Sequence, residues 1–268
     1  MSIKPSYDLV IVIFACDTIE KYLHQVLKIE DTWAKDVYSR PNIKLLFFFG
    51  EDEVLIKDNY IHLKGVKNDY LSASYKQWYG LKYAYENYDA KFVITAGTDT
   101  FLNIPKLMTL LSNFESNATS IIGFKLPNSL RRLSNSKLHY LDGGIGVILT
   151  SPALKLLYPK FCNVNAFMTD WIKLSSRRKC CCDLTGACDV ALAYYYIQLC
   201  NKYAYSVSSI QCITDNNIKP NKNTIFMHPI NLINFDKYYN ILLENNHFID
   251  SPIPKDSIKV VDLTSYQN

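Results

Sequence analysis

The chain is 268 residues long, with 49% hydrophobic and 20% charged residues, a composition that argues against extensive disorder and fits one large globular α/β domain. Lys and Arg outnumber Asp and Glu by only 29 to 25, and the longest basic run is the triplet at residues 177–179, so nucleic acid is not expected as a main partner.

The first predicted element is a buried strand at residues 7–16, which are rich in Val and Ile without alternation. This run is far shorter than the roughly 20 residues that cross a bilayer, and no leader signature accompanies it, so a cytoplasmic chain without a membrane anchor is expected. Asp17 and Thr18 are suited to cap a helix at residues 19–33, where apolar residues recur at helical spacing.

Two further strand and helix units follow in the first half of the chain. Residues 43–49 read as a second buried strand, ended by Gly50 and the acidic residues 51–53. An amphipathic helix is predicted at residues 71–88 and a strongly β-prone strand at residues 90–95. This alternation predicts a largely parallel sheet.

A helix-start signal comes next, because Asn103 can cap and Pro105 suits the first turn of a helix at residues 107–114. A strand is then predicted at residues 120–124. By the same logic Ser151 opens a helix at residues 153–158, after a strand at residues 147–149. The remaining predicted elements are a helix at 189–202, a loop at 215–223 and an edge strand at 258–263.

Eight cysteines occur without an export signal, so we expect free thiols in a reducing compartment. Three of them are consecutive at residues 180–182, near Cys188. Zinc is the alternative interpretation, but no CxxC pair is present and the histidines are scattered. The triplet at residues 117–119 matches a glycosylation sequon, which arises by chance and requires export to be modified.

Candidate ligand-binding residues follow the predicted strands, because open α/β sheets bind ligands beyond the carboxyl ends of their strands. Asp17, Glu51, Asp52 and Asp99 occupy such positions. An aspartate there is often only a turn residue. Asp99 is the most informative of the four, because it lies on a short loop between a strand and a capped helix.

The segment around Asp99 resembles a family motif. Residues 95–103 are similar to the Lys-Ala/Thr-Asp-Asp-Asp-Thr-Phe/Tyr-Val segment of the fringe and β1,3-galactosyltransferase superfamily, with Asp99 at the third aspartate. Gly97 and Thr98 stand at the first two acidic positions, so this DxD-like motif lacks a carboxylate that commonly contacts the nucleotide ribose. Upstream, residues 31–33 resemble an Arg-x-Thr-Trp motif, with Glu30 in place of its arginine.

Further blocks occur in the order expected for that superfamily. Asp69-Tyr70, Lys76 and Gly80-Leu81 resemble its Asp-x-Tyr-x-x-Leu-Thr-x-Lys-Thr-x-x-Gly-Leu motif. Residues 137–149 resemble the Lys-x-x-Tyr-x-x-Gly-Gly-Ala-Gly-Tyr-Val-Leu-Ser segment of core-1 galactosyltransferases, although a glycine-rich turn alone is often only a tight turn. Cys188-Asp189-Val190 resembles a Glu-Asp-Val/Leu motif, and His228-Pro229 a late His-Pro.

The resemblance spans residues 7–230 and implies a single GT-A type domain over residues 1–268, with a Rossmann-like, mostly parallel sheet flanked by helices. Residues 7–125 would bind the nucleotide sugar, and residues 126–268 would bind the acceptor and carry the catalytic base. The implied activity is that of a hexosyltransferase, which moves a sugar from a UDP-sugar donor to a hydroxyl of a glycan or glycoprotein, with inversion and with Mn²⁺ or another divalent cation.

Individual residues receive roles from this resemblance. Asp189 is implied as the catalytic base, and Asp99 and His228 as metal ligands. From the residues alone, Asp189 equally suits a helix N-cap, and a lone histidine is usually a surface or core polar group. Donor-binding candidates are Cys16, Asp17, Asp69, Tyr70, Lys76, Gly97, Thr98 and Asp99, and acceptor-binding candidates are Tyr140, Asp142, Gly143 and Gly144.

Two other functions compete with catalysis. A non-catalytic binding protein or chaperone is one, because a chaperone of the core-1 enzyme shares the fold and lacks the acidic triplet. A sugar-binding module on a membrane surface is the other, although the basic triplet at residues 177–179 is more simply a solvated loop. The abundance of Asn, Ile, Lys and Tyr is typical of AT-rich microbial or large-virus genomes.

Overall fold

The structure is a computed structural model that describes most of the chain. Three features of the sequence lie outside the described residues, namely the basic triplet at 177–179, the consecutive cysteines at 180–182 and the predicted loop at 215–223. The described residues are 3–52, 54–125, 130–133, 136–176, 186–208, 210–212, 224–244 and 252–265.

Strands and helices alternate through the first half of the described chain, and the second half is richer in helices. In chain order the elements are β1 (Ser6–Phe14), α1 (Glu20–Asp31), α2 (Ala34–Tyr38), β2 (Ile43–Phe49), β3 (Tyr60–His62), α3 (Tyr70–Asn87), β4 (Asp89–Gly97), β5 (Phe101–Leu102), α4 (Ile104–Leu111), β6 (Ile121–Gly123), β7 (Leu130–Leu133), β8 (Ser136–His139), β9 (Val147–Thr150), α5 (Ser151–Phe161), α6 (Val164–Ser176), α7 (Cys188–Leu199), β10 (Tyr203–Val207), β11 (Ile210–Cys212), β12 (Phe226–His228), α8 (Leu232–Glu244), a 3₁₀ turn (Lys255–Ser257), β13 (Ile258–Asp262) and β14 (Thr264–Ser265).

The central sheet has the strand order β13-β10-β6-β9-β4-β1-β2-β3 in the described chain. Strands β4, β1, β2 and β3 run parallel to one another, and β6 runs parallel to β10. Strand β9 lies antiparallel between β4 and β6, and β13 is an antiparallel edge strand. The predicted mostly parallel sheet and the predicted edge strand are therefore confirmed.

The register of the central strands brings two loops together. Phe14 pairs with Gly97 and also with Phe48, so β1, β2 and β4 end at the same level. The segments that follow β1 and β4 therefore lie side by side at the carboxyl edge of the sheet. This is the edge where open α/β sheets bind ligands.

Helices cover both faces of the sheet, which explains why β1 is apolar without alternation. Residues Leu9 to Ile13 are all 0% exposed. Leu9, Ile11 and Ile13 belong to a core that includes residues of α1, α4 and α8, whereas Val10 and Val12 belong to one that includes residues of α3, α5, α6 and α7. A strand buried on both faces gains from an apolar residue at every position.

Two small sheets extend the central one near its carboxyl edge. Strand β12 pairs with β5 and β11, so His228 at the end of β12 comes next to the loop that follows β4. Strands β14, β8 and β7 form the other small sheet. The sequence patterns predicted none of β7, β8, β10, α6 or α8, because these elements are short or are stabilised mainly by distant partners.

Helix starts differ from the prediction in three places. Asn103 is the N-cap of α4, with its Oδ1 accepting from Lys106 N at 3.2 Å, as predicted. The prediction that Asp17 and Thr18 cap the first helix is wrong, because α1 begins after Ile19 and has no side-chain cap. Ser151 lies inside α5, after Thr150, and Asp189 lies inside α7, after Ala187.

None of the helices in the described part of the chain is both long and apolar enough to span a membrane.

Candidate active site

A cleft opens at the carboxyl edge of the central sheet, with a volume of about 600 Å³. It lies over the ends of β1 and β4 and is closed on its other side by the turn before β9 and by the start of α7. The structure thus brings together most of the predicted site residues. Those that line the cleft are Cys16, Asp69, Lys76, Gly97, Thr98, Asp99, Tyr140, Gly143, Gly144, Asp189 and His228.

Asp99 and His228 form a pair inside this cleft. Asp99 Oδ1 lies 3.3 Å from His228 Nδ1, and the two side chains are 29% and 16% exposed. Ile230 N donates to the Asp99 carbonyl at 2.9 Å, which ties the segment after β12 to the segment after β4. A carboxylate and an imidazole from distant parts of the chain are therefore held next to each other and open to a ligand.

Thr100 supports this pair, although the sequence motifs assigned it no role. Its hydroxyl donates to the Gly144 carbonyl at 2.6 Å and lies 3.3 Å from His228 Nδ1. Thr100 is 0% exposed, so its hydroxyl must find its partners within the protein. Its place directly after Asp99 in the family-like segment was the signal that could have identified it.

The glycine turn, residues 142–146, packs against both His228 and Asp189. A Cβ atom on Gly144 would lie 2.5 Å from His228 Nε2, and one on Gly143 would lie 2.8 Å from Asp189 Cβ. Neither position has room for a Cβ atom, so both residues must be glycine in this arrangement. Asp142 is not among the residues that line the cleft, and its Oδ1 instead accepts from Gly144 N at 2.9 Å and closes the turn.

Asp189 lies in the first turn of α7 and lines the cleft. Its Oδ2 accepts from Gly143 N at 3.3 Å. Burial raises the pKa of Asp189 to about 6, although hydrogen bonds from the amides of Val190 and Gly143 oppose the increase. A carboxyl group with a pKa near the working pH is suited to accept a proton from a substrate. The alternative interpretation of Asp189 as an N-cap is wrong, because Ala187 holds that position.

Lys76 and its neighbours form the wall beside β1. Lys76 is 2% exposed, and its Nζ donates to Ala15 O and to Asn68 Oδ1, both at 2.7 Å. Burial lowers the pKa of this ammonium group. Asp69 caps α3 by accepting from Ser72 N at 2.8 Å, and hydrogen bonds from the Ser72 side chain and from this amide lower the pKa of Asp69. The ammonium group and the cap thus fix the shape of the wall.

Three predicted donor-binding residues have other surroundings. Asp17 does not line the cleft, and its Oδ2 accepts from the amides of Val54 and Leu55 at 3.0 and 3.1 Å. Thr98 lines the cleft, but its hydroxyl donates to Gln25 Oε1 at 2.6 Å. Tyr70 begins α3, and its side chain lies outside the described part of the structure.

Asp99 and His228 fit a divalent cation that a ligand helps to hold. Two ligand atoms that bind the same small cation, each at about 2.1 Å, lie roughly 3 Å apart. Asp99 Oδ1 and His228 Nδ1 are 3.3 Å apart. Carboxylate oxygen and imidazole nitrogen both suit Mn²⁺. Among the described residues no group of three or more His, Cys, Asp or Glu side chains could hold a metal. The remaining ligands would therefore come from a bound phosphate and water.

Comparisons with known proteins identify the family and the fold of the chain. A family model described as Fringe-like matches residues 8–185, a span that includes Asp99 and the glycine turn but ends before Asp189 and His228. None of the curated proteins matches the chain significantly.

Several solved structures match the chain at low sequence identity. A glycosyltransferase involved in the glycosylation of the major capsid of PBCV-1 is 11% identical, with a TM-score of 0.52, and the alignment covers 87% of this chain and 99% of that one. The glycosyltransferase GlyE of Streptococcus pneumoniae TIGR4 is 10% identical, with a TM-score of 0.43 and coverages of 94% and 66%. Mouse xyloside xylosyltransferase 1 is 11% identical, with a TM-score of 0.33 and coverages of 70% and 82%.

Proposed function

The chain belongs to the Fringe-like family and has the GT-A fold, and from this premise we propose that it is a hexosyltransferase that uses a UDP-sugar donor. The acceptor is a hydroxyl group of a glycan or glycoprotein. The observation that carries the proposal is the convergence of Asp99, His228 and Asp189 on one cleft at the carboxyl edge of the sheet.

The donor occupies the part of the cleft over β1 and β4. Asp99 and His228 would hold Mn²⁺ or another divalent cation in this part of the cleft. When bound, the cation offsets the negative charge of the departing diphosphate. Thr100 and the glycine turn keep the histidine ring in place, because Thr100 bridges Gly144 and His228.

Asp189 acts as the general base at the other side of the cleft. The acceptor oxygen attacks the anomeric carbon, its proton passes to the Asp189 carboxylate, and the bond from that carbon to the diphosphate oxygen breaks. Gly143 N donates to the carboxylate and so orients it. A base that faces the leaving group across the sugar leads to inversion at the anomeric carbon, by the in-line logic known from glycosidases.

A non-catalytic binding protein is the second candidate, and a specific observation favours it. Gly97 and Thr98 provide no carboxylate at the positions that are acidic in the family, and the Thr98 hydroxyl is already bonded to Gln25. Against it, a protein that only binds a partner has no need of a carboxyl group whose pKa is raised to about 6 in the same cleft.

A donor screen tests the proposal. Release of the nucleoside diphosphate is measured for a panel of nucleotide sugars, with and without Mn²⁺, on the wild type, Asp99→Ala and Asp189→Asn. Asp58→Ala and Asp170→Asn are matched controls, because both aspartates are exposed and lie outside the cleft. We expect metal-dependent release from a UDP-sugar, reduced by about 10²-fold or more in both site variants only.

The outcomes separate the candidates. Release that neither Asp99→Ala nor Asp189→Asn affects would refute the site. Metal-dependent binding of UDP without release from any donor would favour the binding protein instead. The stereochemistry has its own measurement, because NMR of fresh product made from an α-linked donor shows a β-linkage if the reaction inverts.

A further inference from the structure

Arg131 is a cleft residue to which neither the family motifs nor the mechanism above assigns a role. It lies on β7 and lines the same cleft as Asp99 and Asp189. Its guanidinium carbon is 5.3 Å from the centre of the Tyr140 ring, and Tyr140 is itself buried at 7% exposure. A guanidinium group held over an aromatic face is oriented while its edge remains open to a ligand.

The charge of Arg131 has no acidic counterpart in the described part of the chain. No described carboxylate lies within ion-pair distance of it. Its Nη1 donates to the neighbouring Leu130 carbonyl at 3.1 Å, which leaves most of its five N–H donors for a ligand. An unpaired arginine that lines a cleft is suited to receive an anion.

Lys76 is the other cation among the described residues of the cleft, and it is already engaged. Its ammonium group donates to Ala15 O and Asn68 Oδ1 and is 2% exposed. Of the lysine and arginine residues that line the cleft in the described part of the chain, Arg131 is therefore the one that remains available. Gly97 and Thr98 provide no carboxylate, so Asp99 and His228 would hold a divalent cation with few protein ligands.

We propose that Arg131 binds the diphosphate of the donor and pairs with the charge that develops on it as the sugar leaves. The proposal rests on the proposed function. When the bond between the anomeric carbon and the diphosphate oxygen breaks, its electron pair stays on that oxygen, and the guanidinium fork matches two phosphate oxygens. Arg131 transfers no proton in this step. It compensates for the acidic positions that this chain lacks.

The test measures nucleotide and diphosphate binding by calorimetry. UDP, uridine and inorganic pyrophosphate are titrated into the wild type, Arg131→Ala and Arg131→Lys, each with Mn²⁺ and with a chelator. Lys155→Ala is the control, because Lys155 is an exposed cation of α5 outside the cleft. We expect Arg131→Ala to weaken UDP and pyrophosphate binding by about tenfold or more, Arg131→Lys to weaken it less, and uridine binding to be unchanged.

The outcomes distinguish this proposal from the proposed function. Equal affinity of wild type and Arg131→Ala for UDP and pyrophosphate would overturn the role of Arg131, whatever the enzyme transfers. If only the KM of an acidic acceptor rises in the variant, the anion belongs to the acceptor and the proposal is again overturned. If UDP binds to neither protein, the UDP-sugar donor is refuted, and pyrophosphate, which carries no base, still decides the role of Arg131.

Discussion

Burial gives Asp189 a pKa that suits a general base, and it also makes the ionised form of Asp189 unfavourable for stability. Its position in the cleft raises its pKa to about 6 from the ordinary value of 3.8, because the ionised form loses solvation there. The folded protein therefore binds this proton more tightly than the unfolded chain does, so the contribution of Asp189 to stability falls as pH rises from about 4 to about 6. Above that range the ionised carboxylate is a constant cost to folding.

Replacement of Asp189 by Asn is expected to change activity and stability in opposite directions. Turnover at neutral pH should fall by about 10²-fold to 10⁴-fold, because the amide cannot accept the acceptor proton. The free energy of unfolding should rise on the order of 1–2 kcal/mol, because the buried charge is removed while the amide oxygen keeps the bond from Gly143 N. Thermal unfolding and steady-state rates at the same pH provide both measurements.

The pH profile completes this test. In the wild type, turnover should fall below pH 6, where the carboxylate becomes protonated, and Asp170→Asn should show the same profile. A wild-type rate that is constant from pH 7 to pH 5, or an Asp189→Asn variant that is less stable than the wild type, would contradict the assignment.

Single residues were predictable from the sequence where a motif carried them. Asp99 and Asp189 were found through resemblance, and both line the cleft. Thr100 and Arg131 were not found, because their roles depend on contacts between segments that are distant in sequence, such as Thr100 with Gly144. Asp17 was assigned to the donor site from its place after a strand, but its carboxylate accepts from the backbone of a neighbouring loop.

At the scale of elements, the glycine turn contacts both Asp189 and His228. It lies between α7, which carries Asp189, and β12, which ends at His228. Its first glycine contacts Asp189, and its second contacts His228. A methyl group added at either position therefore acts on one chemical group and leaves the other in place.

Alanine at each glycine of this turn should produce a different defect. Gly144→Ala should displace His228 and weaken Mn²⁺-dependent UDP binding by about tenfold. Gly143→Ala should displace Asp189 and lower turnover while UDP binding and its metal dependence remain as in the wild type. Calorimetry and steady-state kinetics on both variants measure this, and each variant serves as the control for the other. Identical defects in both would refute the separation.

Elements were predictable where burial on both faces dominates their sequence. The strands β1, β2 and β4 are such cases, because their continuous apolar runs have no other stable arrangement in a sheet covered by helices. The start of α1 was not predictable, because Asp17 found a partner in another loop rather than in the helix that follows. Local capping rules cannot account for such a competing tertiary contact.

On the scale of the whole molecule, the last described strands join the central sheet to the cleft. Strand β13 pairs with β10 at the sheet edge, and β14 pairs with β8, with Thr264 opposite Leu138. Strand β8 pairs in turn with β7, where Arg131 lies opposite Leu138. The pairing of β14 with β8 joins segments more than a hundred residues apart, so no local sequence pattern could have predicted it.

Removal of β14 should therefore loosen the β7 and β8 hairpin without unfolding the protein. A chain that ends at Leu263 keeps β13 and the buried Leu263 side chain, which is 0% exposed, but loses the strand that pairs with β8. Amides of residues 136–139 should exchange hydrogen faster, because their ladder is exposed on one side. UDP affinity should decrease toward that of Arg131→Ala, because Arg131 is no longer held over Tyr140. Hydrogen exchange by mass spectrometry and calorimetry measure the two effects.

Thr264→Ala in the 268-residue chain is the control, because it keeps the backbone of β14 and removes only the bond from the threonine hydroxyl to Asp262. Unchanged exchange at residues 136–139 in the shortened chain would show that the hairpin is stable without β14. Faster exchange with wild-type UDP affinity would show that donor binding does not depend on the hairpin.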